Sequence, residues 1–246
     1  MTTGGSFMQN QQPSTLKEIR VHGTQDFPCA FYQTGTRIKG NMVKHHWHEE
    51  VELLYFSGGE FCLEVNMERF NISEECFYVI NPGELHSISV EKNGGCVENA
   101  VVFHMDMLSS AYALDQIQTN LIQPVQNGSI QFPRCLRKNE PAFEPVRKSY
   151  EEIRNVFGGD SFRENYYDGE AVTDDITRQL FIKSALLRIL AVLSANNLFE
   201  VTEKNHDHRI ETIKTTLTYI QENYKEKIYI RDLAGLIGMN EQYFCR

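Results

Sequence analysis

Short runs of strand-forming residues, separated by glycine-rich turns, fill the first half of the chain. The runs are VELLYF, FCLEV, CFYVI, HSISV and VENAVVF, and the turns include Gly58-Gly59, Asn81-Pro82-Gly83 and Asn93-Gly94-Gly95. Within FCLEV the three apolar residues alternate with Cys62 and Glu64, as in a strand that buries one face. Regular short strands with such turns predict an antiparallel β-barrel or sandwich over about residues 21–108.

The second half of the chain changes to a helical period, with apolar residues every three or four positions. This spacing predicts helices over about residues 143–157, 182–193, 210–224 and 230–237, with a polar loop before the second and Asp174 or Asp175 as its N-cap. The apolar stripe of the second helix is Ile182, Leu186, Ile189 and Leu193. That stripe fits either a helix buried within the chain or a dimer contact. The whole pattern predicts an α+β fold.

Composition and charge narrow the class of protein. The chain has 246 residues, 41% of them hydrophobic and 23% charged, which is typical of one or two folded domains. It has no apolar run of the ~20 residues that a membrane span needs. Residues 1–20 lack the features of a signal peptide and predict a flexible arm on a cytoplasmic protein. The six cysteines form no CxxC pair, so we expect reduced and mostly buried thiols.

Three histidines and one glutamate form the strongest candidate in the sequence for a metal or ligand site. On an extended strand His46 and His48 point to the same side, a bend can return Glu52 to that side, and a paired strand can add His86. Such a set suits a divalent metal, namely Zn, Mn, Fe or Ni. The same side chains could instead bind a hydroxyl-rich ligand directly, with Trp47, Tyr55 or Phe77 as walls. The remaining histidines, at positions 22, 45, 104, 206 and 208, lack this spacing and are expected to be surface or structural residues.

This spacing resembles the first cupin motif. The matching residues are Gly40, His46, His48, Glu52 and Gly59. Pro82 and His86 match the centre of the second motif, whereas the Asn that the motif expects near Val90 is absent. The resemblance implies a cupin-like barrel and places the candidate ligand or metal site inside it.

A helix-turn-helix pattern follows near the end of the chain. Ala234 is small where two helices would cross, Gly238 supplies the turn, and Asn240 would cap the next helix. Apolar side chains that the motif buries fall at Leu233, Ile237, Met239 and Phe244. By the geometry of the motif, Asn240, Gln242 and Arg246 are the candidates for contact with DNA.

Together the last helices resemble the start of the DNA-binding domain of AraC/XylS-type transcription regulators. The matching segments are Tyr219-Ile220-x-Glu222-Asn223-Tyr224, Leu233-Ala234, Gly238-Met239 and Tyr243-Phe244-x-Arg246. The resemblance implies a bacterial-type regulator, not an enzyme. It also implies an upstream cupin-like sensor for a small molecule such as a sugar, and helices that commonly dimerise. The rival interpretations are a metal-dependent cupin enzyme, such as a dioxygenase or isomerase, and a sensor that makes only protein contacts.

These observations predict four regions: an arm at 1–20, a sensor barrel at 21–108, helical linker and dimerisation elements at 109–200, and a first helix-turn-helix at 206–246. The second helix-turn-helix of the family is missing, so we expect a truncated form of a longer regulator. Residues 206–246 contain as many acidic as basic side chains, and the net charge of the chain is -9. Because DNA affinity rests on phosphate neutralisation, this fragment is expected to bind promoter DNA weakly or not at all.

Overall fold

The structure is a computed structural model that describes residues 16–36, 38–93, 96–112, 114–158, 170–171, 175–202 and 208–245. These residues divide between two compact units, one spanning residues 20–206 and the other comprising residues 1–19 and 207–246. Most of the predicted N-terminal arm, most of the polar loop before the second long helix, and Arg246 lie outside the described residues. None of the described helices is long and apolar enough to cross a bilayer.

Eight antiparallel strands form the first part of the larger unit, as the turn-and-run pattern predicts. They are β1 (Cys29–Thr36), β2 (Gly40–His46), β3 (Val51–Phe56), β4 (Phe61–Val65), β5 (Glu68–Ile72), β6 (Cys76–Ile80), β7 (His86–Val90) and β8 (Cys96–Phe103). Four short strands follow: β9 (Ile130–Gln131), β10 (Cys135–Arg137), β11 (Glu170–Ala171) and β12 (Glu200–Val201). One sheet has the order β10-β6-β3-β8-β1-β11 and a second has the order β2-β7-β4-β5. β9 and β12 form a separate pair.

The six-stranded sheet separates two apolar cores, because alternate residues of its strands face opposite sides. On β3, Leu54 and Phe56 face the four-stranded sheet, where they pack with Phe61 and Ile88. Leu53 lies on the other face and belongs to the core beneath the helices. Since both faces of β3 are buried, its sequence VELLYF is a nearly continuous apolar run with no clear alternation.

Three helices cover the outer face of the six-stranded sheet or its edge: α1 (Gln123–Gln126), α2 (Phe143–Val156) and α3 (Ile176–Ala195). A 3₁₀ turn at Met105–Leu108 and a π-helical turn at Gln118–Ile122 precede them. Asp175 caps α3, as predicted, by accepting a hydrogen bond of 3.1 Å from the Arg178 backbone N–H. All four residues of the predicted α3 stripe are buried in the core of the same chain. The alternative that this stripe is a dimer contact is therefore wrong.

The segment at 109–200 is not purely helical, in contrast to the sequence prediction. β10 pairs with β6 and extends the six-stranded sheet, and β12 pairs with β9. The backbone N–H of Thr202 also donates to the carbonyl oxygen of Ser129 at 3.0 Å, which fixes the chain just after α3. Strands of two or three residues are too short to leave a periodic signal in the sequence.

Tyr150 on α2 provides a test of the packing beneath the helices. Its ring lies 5.1 Å from that of Tyr55 and 5.4 Å from that of Phe77, and its buried hydroxyl has no hydrogen-bond partner among the described residues. Because an unsatisfied buried hydroxyl is costly, Tyr150→Phe is expected to raise the free energy of unfolding by about 1 kcal/mol in urea denaturation.

The matched control for Tyr150 is Tyr55→Phe. The Tyr55 hydroxyl donates to Oε1 of Glu75 at 2.7 Å, so its removal is expected to lower the free energy of unfolding by about 1 kcal/mol. A Tyr150→Phe variant that is less stable than the wild type would contradict the described packing.

The smaller unit contains α4 (His208–Asn223), α5 (Ile230–Leu236) and α6 (Glu241–Phe244). The turn after α5 contains Gly238, whose φ of +69° is the left-handed conformation that glycine adopts most readily. The backbone N–H groups of Met239 and Gly238 donate to Ala234 and Gly235 and so close the helix. The predicted succession of helix, glycine turn and helix is therefore present over residues 230–244.

Candidate metal and effector site in the barrel

Three imidazoles meet at one end of the larger unit. His46 is the last residue of β2 and pairs in register with His86, the first residue of β7. The ring centroids of His46 and His86 are 4.2 Å apart, and the His48 ring lies 5.1 Å from that of His86. One ring nitrogen from each of the three lies within 4.8 Å of the others. The structure thus brings together the three histidines that the sequence singled out.

Glu52 on β3 joins this cluster through one carboxylate oxygen. Its Oε2 is 3.0 Å from Nε2 of His86 and 3.4 Å from Nε2 of His48. Burial by itself would raise the pKa of Glu52, but hydrogen bonds and charge interactions with His48 and His86 hold the pKa well below its usual value. The carboxylate therefore lies beside two of the three imidazoles, where it could join them around a cation.

The backbone fixes the tautomer of each histidine. In all three rings Nδ1 donates to a main-chain carbonyl oxygen two residues away, at 2.8 Å for His46, 3.2 Å for His48 and 2.9 Å for His86. Because a carbonyl oxygen can only accept, Nδ1 carries a proton, which leaves Nε2 as the nitrogen of each ring that can bind a metal when it is deprotonated. The buried Nε2 of His86 has no partner with hydrogen-bond geometry within the described part of the chain.

This donor set fits a divalent metal. A hydrogen bond from Nδ1 to a carbonyl is the usual way in which a protein orients a metal-binding imidazole. Two ligands that are each ~2.1 Å from one ion lie about 3.0 Å apart at a right angle and about 3.4 Å apart at a tetrahedral angle. The separations between Glu52 and the two histidines match both values. His46, His48 and His86 would therefore hold Zn, Mn, Fe or Ni, with Glu52 beside two of them as a further ligand.

Tyr55 does not join the cluster, in contrast to the sequence prediction. It lies on the opposite face of β3 from Glu52, packs in the core beneath the helices and donates to Glu75. Phe77, a predicted wall of the site, is buried in that same core. Since every residue of β3 is at least half-buried, the sequence alone did not show which positions face the barrel interior.

His22 and Tyr32 belong to the site although the sequence did not indicate them. His22 was expected to be a surface or structural residue, yet it is buried, and its ring centroid is 5.2 Å from that of His48. Its Nδ1 lies 2.7 Å from the hydroxyl of Tyr32 on β1. His22 precedes the first strand and shares no spacing with the other histidines, so no signal in the sequence could have placed it here.

The barrel interior also contains a buried acid, Glu98 on β8. Glu98 is 2% exposed, and its Oε1 has no hydrogen-bond partner among the residues described. Burial, and secondarily the negative charge of Glu52, raises the pKa of Glu98 well above its usual value. The position was readable from the sequence, because Glu98 shares the inward face of VENAVVF with Ala100 and Val102.

A buried ion pair supports the loop that carries His86. Both terminal guanidinium nitrogens of Arg134, Nη1 and Nη2, donate to the Glu84 carboxylate, and the bond from Nη1 is 2.7 Å long. The backbone N–H of Asn81 donates to the same carboxylate, also at 2.7 Å. Arg134 also donates to the carbonyl oxygen of Val79 at 2.6 Å. Glu84 supplies the carbonyl that accepts the Nδ1 proton of His86. Arg134 is therefore a positioning residue for His86, although it lies 50 positions from Glu84 in the sequence.

The remaining predicted residues lie in the smaller unit. Asn240 accepts a hydrogen bond of 2.8 Å from the Tyr243 backbone N–H and so caps α6, which commits its side-chain oxygen. Gln242 is exposed on α6. Arg246 lies outside the described residues.

Comparison with known proteins decides the family. A family model described as the AraC-like ligand binding domain matches residues 34–155, which include the whole histidine and glutamate cluster. A helix-turn-helix-type transcriptional regulator of Bacillus subtilis (strain 168), YdeC, is 25% identical over 239 residues, which cover 94% of this chain and 74% of YdeC. The chain belongs to the AraC-type transcription regulators. The barrel of this AraC-type regulator is its ligand-binding domain.

Solved structures resemble the AraC-type regulator more distantly. The apo form of a ToxT variant from Vibrio cholerae is 10% identical with a TM-score of 0.42, and the match covers 90% of this chain and 74% of that one. A predicted oxalate decarboxylase from Thermotoga maritima is 24% identical with a TM-score of 0.28, over 30% of this chain and 64% of that one. Both TM-scores are too low to establish a common overall fold.

Proposed function

We propose that this AraC-type regulator senses a small polar metabolite, such as a sugar, that binds at the cluster of His46, His48, His86 and Glu52. A divalent metal held by these side chains would attach hydroxyl or carboxylate oxygens of the effector. The observation that supports this is the orientation of the three rings, in which the backbone engages Nδ1 and leaves Nε2 as the metal-binding nitrogen, with the Glu52 carboxylate beside two of them. Such a set attracts a cation rather than a neutral ligand alone.

Signalling requires more than tight binding. The effector must bind two arrangements of the regulator with different affinities, because only that difference shifts the equilibrium between them. We propose that the barrel at 21–108 binds the effector, that residues 109–200 relay the change, and that residues 206–246 begin the DNA-binding domain. The Arg134–Glu84 pair supports this division of roles, since it links the segment before α2 to the loop of His86.

Metal content tests the proposed site. Purified regulator is expected to contain close to one equivalent of a divalent metal by mass spectrometry, and treatment with a chelator should remove it. His46→Ala and His48→Ala should each lose the metal because each removes a ligand. His45→Ala is the matched control, since the exposed His45 binds Glu64 and Ser87 instead. Metal-free wild-type protein after growth in metal-supplemented medium would contradict the metal site.

DNA contact is proposed for α6. Gln242 is exposed there, whereas Asn240 serves as the cap, so we propose Gln242 and Arg246 as contacts with the promoter. In the full-length protein, Gln242→Ala is expected to weaken promoter binding by about 1 to 3 kcal/mol if Gln242 reads a base. Gel-shift titration measures this change, with the exposed Glu241→Gln as the control. Unchanged affinity and an unchanged salt slope would contradict the contact.

A homodimer is proposed through the outer face of α3. Leu180 and Leu187 are spaced seven residues apart on that face and are 62% and 42% exposed. This face is different from the buried stripe that the sequence analysis considered. Two copies of such a helix can pack along an apolar seam with this repeat.

A further inference from the structure

Two cysteines lie on one face of the six-stranded sheet, where β10 forms its edge. The strands β6 and β10 are antiparallel, with Cys135 opposite Tyr78 and Arg137 opposite Cys76. Cys76 and Cys135 are therefore diagonal neighbours on one face of this strand pair. Cys76 is buried in the barrel core, and Cys135 packs against the same core while remaining partly exposed.

The two thiols are not equivalent. Interaction with the Cys76 thiol lowers the pKa of Cys135 against the opposing effect of burial. Hydrogen bonding to Tyr78 and the positive charge of Arg137 lower it further. The pKa of Cys76 is raised by the same interaction and by burial. The partly exposed thiol is thus the better nucleophile, and the buried thiol is its diagonal neighbour across the strand pair.

We propose that Cys76 and Cys135 form a peroxide-sensitive pair that closes to a disulfide. The Cys135 thiolate attacks one oxygen of a hydroperoxide, the O–O bond breaks, and the sulfur becomes a sulfenic acid while water or an alcohol leaves. The Cys76 sulfur then attacks the Cys135 sulfur, loses its proton and expels the hydroxyl group as water. Two thiols are oxidised by two electrons, and one hydroperoxide is reduced. This modification does not depend on the metal or on the identity of the effector.

Closing the disulfide would move β10. Diagonal neighbours on paired strands are about 7–8 Å apart, whereas the Cα atoms of a disulfide lie about 4.4–6.8 Å apart. β10 has only three residues and sits at the edge of the sheet, so it is the strand that can shift. Arg134, which anchors Glu84 in the loop of His86, directly precedes Cys135. Oxidation therefore acts on the strand that directly follows Arg134, the residue that positions His86 through Glu84.

Peroxide titration followed by alkylation and mass spectrometry tests the pair in the intact chain. After one equivalent of hydrogen peroxide under native conditions, trypsin is expected to release residues 70–92 joined to residues 135–137, lighter by two hydrogens than the separate peptides. Cys135→Ser should leave Cys76 alkylatable and slow its oxidation by at least ~10-fold, because the nucleophile is gone. Cys76→Ser should allow a dimedone adduct to accumulate on Cys135.

Cys29→Ser is the matched control. Cys29 is fully buried with a pKa raised by burial, so its replacement should leave the disulfide yield unchanged. Two results would overturn the proposal: both thiols alkylatable after peroxide, or a joined peptide that forms equally fast in urea. In the oxidised wild type, backbone amides of residues 79–86 should also exchange hydrogen at an altered rate. Unaltered exchange there would overturn the predicted movement of β10.

Discussion

Replacing Arg134 with alanine is expected to lower the free energy of unfolding by about 3 kcal/mol. The substitution would leave the Glu84 carboxylate, whose side chain is 8% exposed, without its cation. Removal of one partner from a buried ion pair typically costs 3–5 kcal/mol, because a buried charge is left uncompensated. The partial exposure of Arg134, at 26%, allows water to offset part of that cost.

Urea denaturation of Arg134→Ala measures this loss, with Arg147→Ala as the control. Arg147 pairs with Glu144 on α2, but the two side chains are 35% and 52% exposed, so only a small change is expected there. Arg134→Lys should recover only part of the loss, since a lysine cannot bind both carboxylate oxygens in the planar geometry of a guanidinium. Equal stabilities of the two alanine variants would show that the Glu84–Arg134 pair does not hold the loop of His86.

The affinity of the barrel for Zn²⁺ is expected to fall by more than ~100-fold in His86→Ala. Loss of a residue that merely orients a ligand costs about 10–100-fold in metal affinity, so loss of a ligand should cost more. The same substitution also removes one of the two imidazoles that hold the Glu52 carboxylate. Competition with a chromophoric chelator measures the affinity of the chelator-stripped protein.

His45→Ala is the control for that titration because His45 lies next to His46 but binds Glu64, at 3.0 Å, away from the cluster. Its Zn²⁺ affinity should equal that of the wild type. Far-ultraviolet circular dichroism should show that His86→Ala retains its sheets. If a folded His86→Ala protein binds Zn²⁺ as tightly as the wild type, the three histidines are not metal ligands, and they would contact the effector directly.

Hydrophobic patterning predicted the central strands and long helices but missed the edges of the sheet. β5 has four residues that are exposed or half-buried, so its sequence ERFNI carries little apolar alternation. β10, β11 and β12 exist because residues distant in the chain pair with them, and two or three positions cannot reveal such a partner. Helix ends were easier to predict, because the Asp175 and Asn240 caps and the Gly238 turn depend only on residues that are close together in the sequence.

The candidate site likewise combines residues that the sequence could predict with residues that it could not. His46 and His48 were predictable from strand alternation, and His86 and Glu52 from the spacing of a known motif. Tyr55 was misplaced because its strand is buried on both faces. His22 and Arg134 reach the site only through tertiary folding, and no neighbouring residue in the sequence indicates that they lie there.

The six-stranded sheet is a wall shared by two cores, and this limits how the sensor can be altered. On β3, Glu52 and Leu54 face the barrel, whereas Val51 and Leu53 support the helices. A library that seeks new effector specificity should therefore vary alternate positions of the sheet and keep the intervening ones fixed. For the same reason, natural substitutions beneath α2 and α3 can change the response to the effector although these residues do not touch the effector.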